Sequence, residues 1–360
     1  MHAHHTMTLP ASRPAGIEPN AILSSPQFKE GKFSGVSAEL KLSFIDFVSG
    51  TIDYFTNGNM STPDVHLPAK QVNLHHFTHS GSDQLNVTWL GHSSLMINMD
   101  GYRVLTDPVF EKRVTLLGPS RFNGDIPLDI HELPSIDAVI ISHDHYDHLN
   151  KYSVLQLVHK TRRFIVPLAV GNRLAKWGVP VEKLVELDWW EAYRLDDSLT
   201  IVATPAQHFS GRGLTDRNKT LWASWVVQSP HHKIFFSGDS GYFNGFKQIG
   251  ETYGPFDMTF IECGAYNASW SQVHMFPEQT VQAHVDLGGK VLHPIHWGTF
   301  NLALHPWYEP MERLAAAANT AGVSIATPVV GDTTIFNNDL PDNGWWRQAM
   351  ARQIEQIANN

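Results

Sequence analysis

The chain has one cysteine, Cys263, among its 360 residues, so it cannot form an internal disulfide. It has no run of the roughly 18 to 20 apolar residues that a membrane-spanning helix requires. Residues 1–16 lack the apolar stretch of a secretory signal peptide. These absences predict a cytoplasmic protein whose fold does not depend on an oxidising compartment, with Cys263 buried as a small apolar side chain.

Positive charge is also scarce in this sequence. The chain carries 26 lysine and arginine residues against 35 aspartate and glutamate residues, which gives a formal net charge of -9. Proteins that grip a phosphate backbone need a basic face, so this balance argues against a nucleic-acid partner. Apolar residues make up 42% of the chain, which is enough to form a large core.

The residue pattern divides the chain into an N-terminal extension, residues 1–80, and a main domain, residues 81–360. Within the extension, apolar side chains recur at helical spacing over residues 40–55, which predicts an amphipathic helix interrupted at Gly50. Two interpretations of this helix stay open, packing on the main domain and contact with a membrane surface. Lys41 is its only basic residue, which favours packing.

From about residue 85, short apolar runs alternate with helical patterns. The predicted strands lie at 87–90, 94–99, 102–105, 138–142, 164–166, 199–203, 224–227 and 233–236. The predicted helices lie around 152–160, 170–177, 277–287 and 308–321. Strands interleaved with helices on both sides of a middle point predict an α/β domain of two sheets with helices outside.

Residues 142–149, with the sequence SHDHYDHL, follow directly after a predicted buried strand. Imidazole nitrogens and carboxylate oxygens are ligands that zinc and similar divalent metals accept. His143 and His145 are spaced to chelate one ion, while Asp147 and His148 reach a second one nearby. His208 and Asp239 each follow a predicted strand further along the chain, and His296 lies in the segment HPIHWG at 293–298. Together these residues predict a site for two metal ions.

The order of these motifs resembles the metallo-β-lactamase superfamily, and the resemblance implies an αββα sandwich of two mixed β-sheets flanked by helices over residues 81–360. It implies that the first metal is bound by His143, His145 and His208, and the second by Asp147, His148 and His296, with Asp239 bridging both. Asp107 is then expected to orient the ligands. Such an imidazole-rich donor set favours zinc, with manganese and iron as alternatives.

A closer resemblance is to the N-acylphosphatidylethanolamine-hydrolysing phospholipase D family and its bacterial relatives. It covers roughly residues 85–310 and is carried by VTWLGH at 87–92, LTDPVF at 105–110, GPSRF at 118–122, LPSIDAV at 133–139, LWASW at 221–225, GDSGY at 238–242 and IHWGTF at 295–300. The resemblance implies a phosphodiesterase in which a hydroxide bridging the metals attacks phosphorus. The substrate would be a small-molecule or lipid phosphodiester.

Further roles are predicted for single residues near this site. Asp147 is a candidate proton acceptor, and His274, which matches a histidine of the same family, is a candidate proton donor or stabiliser of a substrate oxygen. Four residues are candidates for substrate contact: Arg212, Tyr266, Trp270 and Trp297. For these four, a structural ion pair or aromatic packing is the alternative interpretation.

Other functions of the same fold compete with a phosphodiesterase. A lactonase or another carbonyl-centre hydrolase is the main alternative, because such enzymes share much of this pattern. A nuclease is disfavoured by the negative charge, and a redox di-iron protein by His145, where that branch has glutamate. A scaffold without catalysis is disfavoured because all seven ligands are present. Oligomeric state and peripheral membrane contact stay open.

Overall fold

The computed structural model describes residues 12–36, 60–78, 81, 83–341 and 344–358. The amphipathic helix predicted over residues 40–55 lies outside these residues. The described part of the extension begins with α1 (Pro19–Ser24), followed by a short hairpin of β1 (Phe28–Lys29) and β2 (Lys32–Phe33) and then by α2 (His75–Thr78).

Two mixed sheets of seven strands each form the main domain of the described chain. The first sheet consists of β3 (Leu85–Trp89), β4 (Leu95–Met99), β5 (Tyr102–Thr106), β6 (Ile136–Ile140), β7 (Thr161–Pro167), β8 (Leu184–Leu187) and the late strand β16 (Thr333–Ile335). The second consists of β9 (Ala192–Arg194), β10 (Thr200–Thr204), β11 (Ser224–Gln228), β12 (Lys233–Phe236), β13 (Phe256–Glu262), β14 (Gly289–Ile295) and β15 (Ser324–Ile325).

The two sheets are built on the same plan. The first has the order β16-β3-β4-β5-β6-β7-β8, antiparallel from β16 to β5 and parallel from β5 to β8. The second has the order β15-β14-β13-β12-β11-β10-β9, parallel from β15 to β12 and antiparallel beyond. The predicted pair of mixed sheets is confirmed.

The remaining helices are α3 (Lys151–Leu157), α4 (Val170–Trp177), α5 (Gly245–Tyr253), α6 (Pro277–Leu287), α7 (Glu309–Ala321) and α8 (Trp346–Ala358). The four predicted helices correspond to α3, α4, α6 and α7, whereas α5 and α8 are additional. Helix α6 shows why its ends could be predicted. Pro277 begins it, and Gly288, at φ 67°, ends it in a left-handed conformation that glycine adopts without steric cost.

The strands of the first sheet are buried on both faces, as β6 illustrates. Ala138 and Ile140 belong to the core cluster that contains residues of both sheets, whereas Val139 and Ile141 belong to the cluster that contains α3 and α4. Successive side chains of a strand point to opposite faces, so both faces of β6 need apolar residues. This explains the continuous apolar run that precedes the histidine cluster.

Short segments of the extension pair with the edges of the sheets. The amide of Arg13 donates to Ala192 O at 2.9 Å, and the amide of Gly16 donates to Leu184 O at 2.7 Å. These bonds cover the edge strands β9 and β8, whose backbone groups would otherwise be open to pairing with another chain. Among the described residues, no helix is long and apolar enough to cross a membrane.

The contribution of the central core is tested at Trp225, which lies on β11 and is fully buried. We expect Trp225→Ala to lower the free energy of unfolding by about 3–5 kcal/mol, because the lost contacts leave a large cavity. Urea denaturation measures the difference. The matched control, Leu23→Ala, removes a side chain that is 73% exposed and is expected to change stability by less than about 0.5 kcal/mol. Equal losses in both variants would contradict this placement of the core.

Candidate metal centre

The predicted metal ligands lie in loops that follow the carboxyl ends of strands. Asp107 follows β5, the segment His143–His148 follows β6, His208 follows β10, Asp239 follows β12 and His296 follows β14. His92, which follows β3, joins them. Residues far apart in the sequence therefore meet because the two sheets present these strand ends at one place.

The first cluster consists of His143, His145, His208 and Asp239, whose potential ligand atoms all lie within 4.8 Å of one another. His145 Nδ1 is 2.8 Å from His143 Nε2 and 3.2 Å from His208 Nε2. Burial lowers the pKa of all three imidazoles, so their neutral forms are favoured. Converging neutral imidazole nitrogens are the donors that a divalent metal requires.

The second cluster consists of Asp147, His148, His296 and His92. Asp147 Oδ2 lies 3.0 Å from His92 Nε2 and 3.4 Å from the Nε2 atoms of both His148 and His296. His92 is absent from the predicted ligand set. Its side chain is buried, and its ring centroid lies 4.1 Å from that of His296. Its position directly after Gly91, which follows the predicted strand at 87–90, is the sequence feature that could have identified it.

Asp239 lies between the two clusters. Its Oδ2 atom is 3.1 Å from His296 Nε2, 3.2 Å from His148 Nε2, 3.7 Å from His208 Nε2 and 3.8 Å from His143 Nε2. One buried carboxylate therefore faces imidazoles of both groups. This is the placement that a bridging ligand needs, and the bridging role of Asp239 remains a prediction.

The donor set fits positively charged ions. His148 Nε2, His296 Nε2 and Asp239 Oδ1 are buried without a hydrogen bond from any described residue, and unsatisfied polar atoms of this kind are costly. Burial alone would lower the pKa of His296, but the carboxylates of Asp239 and Asp147 raise it to about 10. The centre thus stabilises positive charge. Ligation by each predicted residue remains a prediction.

Asp107 is completely buried and contacts the segment that carries the histidine cluster. Its Oδ1 accepts a hydrogen bond from the amide of Ser142 at 2.7 Å. Its Oδ2 accepts from His148 Nδ1 at 2.7 Å and from Ser142 Oγ at 2.5 Å. A ring held through Nδ1 leaves Nε2 as its potential ligand atom, and the orienting role of Asp107 towards a bound metal remains a prediction.

His274 lies at the margin of the centre. Its ring centroid is 5.1 Å from that of His208 and 5.4 Å from that of His296, and its side chain is 14% exposed. The Nδ1 atom faces the buried carboxylate of Glu262 at 3.4 Å. Glu262, which the sequence analysis did not identify, therefore holds one edge of the ring and leaves Nε2 for a ligand.

The four candidate substrate residues have structural partners. Arg212 Nη1 donates to the carbonyls of Asp144 and Leu149 at 2.8 and 2.7 Å, and so holds the loop of the histidine cluster in place. The remaining three are aromatic. Tyr266 OH donates to a carboxylate at 2.7 Å, Trp270 Nε1 donates to a carbonyl at 2.7 Å, and Trp297 is stacked in the core. Packing explains these positions, and substrate contact by them remains a prediction.

Comparison with known proteins places this centre in a family. The family model for the beta-lactamase superfamily domain matches residues 102–297. An uncharacterized protein of Mycobacterium tuberculosis is 42% identical over 90% of this chain and 88% of its own length. The N-acyl-phosphatidylethanolamine-hydrolyzing phospholipase D 1 of Caenorhabditis elegans is 34% identical over 70% of this chain and 74% of its own length.

Solved structures agree on the fold. A metallo hydrolase from the archaeon Ignicoccus hospitalis superposes with a TM-score of 0.54 at 22% sequence identity, covering 71% of this chain and all of that one. At this level of identity the superposition shows a common architecture, in keeping with the paired mixed sheets.

The supporting role of Asp107 can be measured through metal affinity. In Asp107→Asn, the amide nitrogen or oxygen replaces a carboxylate that serves Ser142 and His148 together, so the His148 ring loses part of its support. We expect the affinity for metal to fall about 10- to 100-fold. Isothermal titration and metal analysis of the purified variant provide the measurement. Asp197→Asn, at an exposed site, is the matched control, and equal affinities in the two variants would refute this role.

Proposed function

The chain belongs to the metallo-β-lactamase superfamily and is a metal-dependent hydrolase, and we propose that it cleaves phosphodiesters in the manner of a phospholipase D. The observation that carries this choice is the 34% identity to the Caenorhabditis elegans phospholipase, which extends over 266 residues. The position of Asp239 between two ligand clusters supports a centre with two metals. We propose zinc, since imidazole nitrogens predominate among the donors.

Two metals at such a centre would supply Lewis acidity, which acidifies water and stabilises negative charge on a phosphoryl group. The residues of the chain then divide the remaining work. His143, His145 and His208 would hold one ion, Asp147, His148 and His296 the other, and Asp239 both. Among these ligands, Asp147 is the carboxylate that is more accessible, with 14% of its side chain exposed against 3% for Asp239.

Asp147 and His274 are proposed to move protons. Asp147 accepts a proton from the attacking water, and His92, 3.0 Å away, keeps its Oδ2 in place. His274 donates a proton from Nε2 to the leaving oxygen, because its Nδ1 lies 3.4 Å from Glu262 Oε2 and is held on that side. The proton acceptor and the proton donor thus belong to different loops of one centre.

The proposal is tested first with bis(p-nitrophenyl) phosphate. Protein stripped of metal is expected to be inactive, and reloading with zinc or manganese is expected to restore release of p-nitrophenolate. His145→Ala, which removes a ligand of the first cluster, is expected to lower the activity of the reloaded protein at least about 10³-fold. Absorbance at the nitrophenolate maximum gives the rate, and metal analysis gives occupancy.

Hydrolysis of a carbonyl substrate in place of a phosphodiester would reject the proposed phosphodiesterase activity. No turnover of phosphodiesters with both metal sites filled, together with hydrolysis of a lactone, would replace the proposal with the carbonyl-centre alternative. It would leave the family and the metal centre unchanged.

The role of His274 depends on the leaving group. In His274→Gln, we expect kcat to fall about 10²- to 10⁴-fold for a diester with an alkyl leaving group, which requires a proton. For p-nitrophenolate, which leaves without a proton, a loss of about tenfold or less is expected. Steady-state rates on both substrates measure the contrast, with His131→Gln as the exposed control. Equal losses on both substrates at full metal occupancy would contradict proton donation.

A further inference from the structure

Three leucines are almost fully exposed to solvent. Leu116 is 91% exposed, Leu117 is 95% exposed and Leu214 is fully exposed. The next most exposed large apolar residue among those described is Leu23, at 73%. Exposed leucines on a folded surface cost solubility, and when they occur together they mark a surface that contacts something apolar.

Leu116 and Leu117 occupy the tip of a well-anchored turn. Gly118 N donates to Thr115 O at 3.1 Å, so the two leucines are the central residues of the turn. At its base, Val114 is buried with Val109 and Phe300. Central turn positions are normally polar or occupied by glycine or proline, so two leucines there are unusual.

Leu214 projects from a second loop that is also held in place. Asp216 Oδ1 accepts hydrogen bonds from the amides of Arg212 at 3.0 Å and Gly213 at 2.7 Å, and its Oδ2 pairs with Arg173 at 3.1 Å. The loop therefore presents Leu214 in a defined position. We call residues 110–120 and 210–219 the rim loops.

Both rim loops contact the segment that carries the histidine cluster. Arg212 Nη1 of one loop donates to Leu149 O at 2.7 Å, and Glu111 Oε2 of the other accepts from Asn150 Nδ2 at 2.6 Å. Two half-exposed tyrosines, Tyr146 and Tyr152, lie within and just after this segment. Both loops that carry the exposed leucines are thus fixed to the segment that carries the histidine cluster.

The charge of the rim loops is opposite to that of the whole chain. They carry five basic residues and two acidic ones, on a protein whose net charge is -9. The basic residues are Lys112, Arg113, Arg212, Arg217 and Lys219. Both acidic side chains, Glu111 and Asp216, already have partners. Apolar tips surrounded by basic residues complement a surface with an apolar interior and an anionic exterior.

We propose that the rim loops dock the protein on an anionic phospholipid surface, with Leu116, Leu117 and Leu214 entering the acyl region and the exposed basic residues of the rim loops facing lipid phosphates. These exposed residues are Lys112, Arg113, Arg217 and Lys219, whereas Arg212 is held by backbone carbonyls. The proposal goes beyond the proposed function, because binding requires no turnover. The two can therefore fail independently. Docking would hold the segment of the histidine cluster near the lipid surface, because both rim loops contact it.

The experiment is sedimentation of the full chain with vesicles of phosphatidylcholine containing about 30 mol% phosphatidylglycerol, whose anionic headgroups attract basic residues near the surface. The triple variant Leu116→Ser, Leu117→Ser, Leu214→Ser is expected to bind at least about tenfold more weakly than the wild type. Lys112→Glu with Arg217→Glu is expected to weaken binding and its dependence on salt. Leu23→Ser, at the exposed leucine outside the rim loops, is the matched control and is expected to bind like the wild type. Thermal unfolding of each variant checks that it is folded.

Two results would overturn the proposal. The first is equal vesicle binding by the wild type, the triple variant and the control, including no binding by any of them. The second is a wild-type dimer in analytical ultracentrifugation that the triple variant converts to a monomer, with no vesicle binding. In that case, the rim loops would form a contact between two copies of the chain.

Discussion

The carboxylate of Asp239 is the charge around which the centre is organised. It is buried, and four imidazole nitrogens from three loops lie within 3.1–3.8 Å of its Oδ2. An isolated buried carboxylate is strongly unfavourable, so this arrangement is stable only with positive charge close by. Against the effect of burial, the carboxylates of Asp239 and Asp147 raise the pKa of His148 and of His296, which favours positive charge beside Asp239. Bound cations would supply positive charge there while occupying the imidazole nitrogens that have no hydrogen bond from a described residue.

The backbone contributes strain at the same place. Three residues of the centre adopt left-handed conformations although they have side chains: His92 at φ 54°, Asp107 at φ 35° and His296 at φ 63°. Such conformations cost on the order of 1–3 kcal/mol each, and they persist only where surrounding contacts fix them.

The contacts that fix these conformations can be named. His92 O accepts from the amide of His296 at 3.2 Å, and Thr299 Oγ1 accepts from the amide of His92 at 2.7 Å. The left-handed turns point the side chains of adjacent loops towards one centre. Conformational energy is therefore stored where ligands must converge, which is typical of functional sites.

Local pattern made much of this architecture predictable. The segment SHDHYDHL after a buried strand identified the centre, and later residues completed it because strand ends meet in one region. The paired mixed sheets followed from interleaved strands and helices. Four helices were predictable from their apolar periodicity, and three of them end at a glycine: Gly178, Gly288 and Gly322.

Tertiary context hid the rest. Strand β14 contains Pro294 next to β13, where a missing amide argues against a central strand, and only pairing with its neighbours makes it one. His92 is a lone histidine in the sequence. Its place beside Asp147 depends on contact between the loop after β3 and the loop after β14. Arg212 was a candidate for substrate contact, with a structural ion pair as the alternative, and its hydrogen bonds to backbone carbonyls could not be foreseen from the sequence.

Chemistry and substrate preference are carried by different parts of the fold. The ligands follow strands whose positions are fixed by the core, so metal-dependent hydrolysis is a property of the sandwich. The features that would select a substrate lie in connecting segments: His274 between β13 and α6, and the rim loops beside the histidine cluster. Loops can change without disturbing the core, and a single fold thereby supports many reactions. The shared centre accordingly identifies the type of chemistry, whereas leucine tips and basic residues on this chain's own loops argue for a lipid among the candidate phosphodiesters.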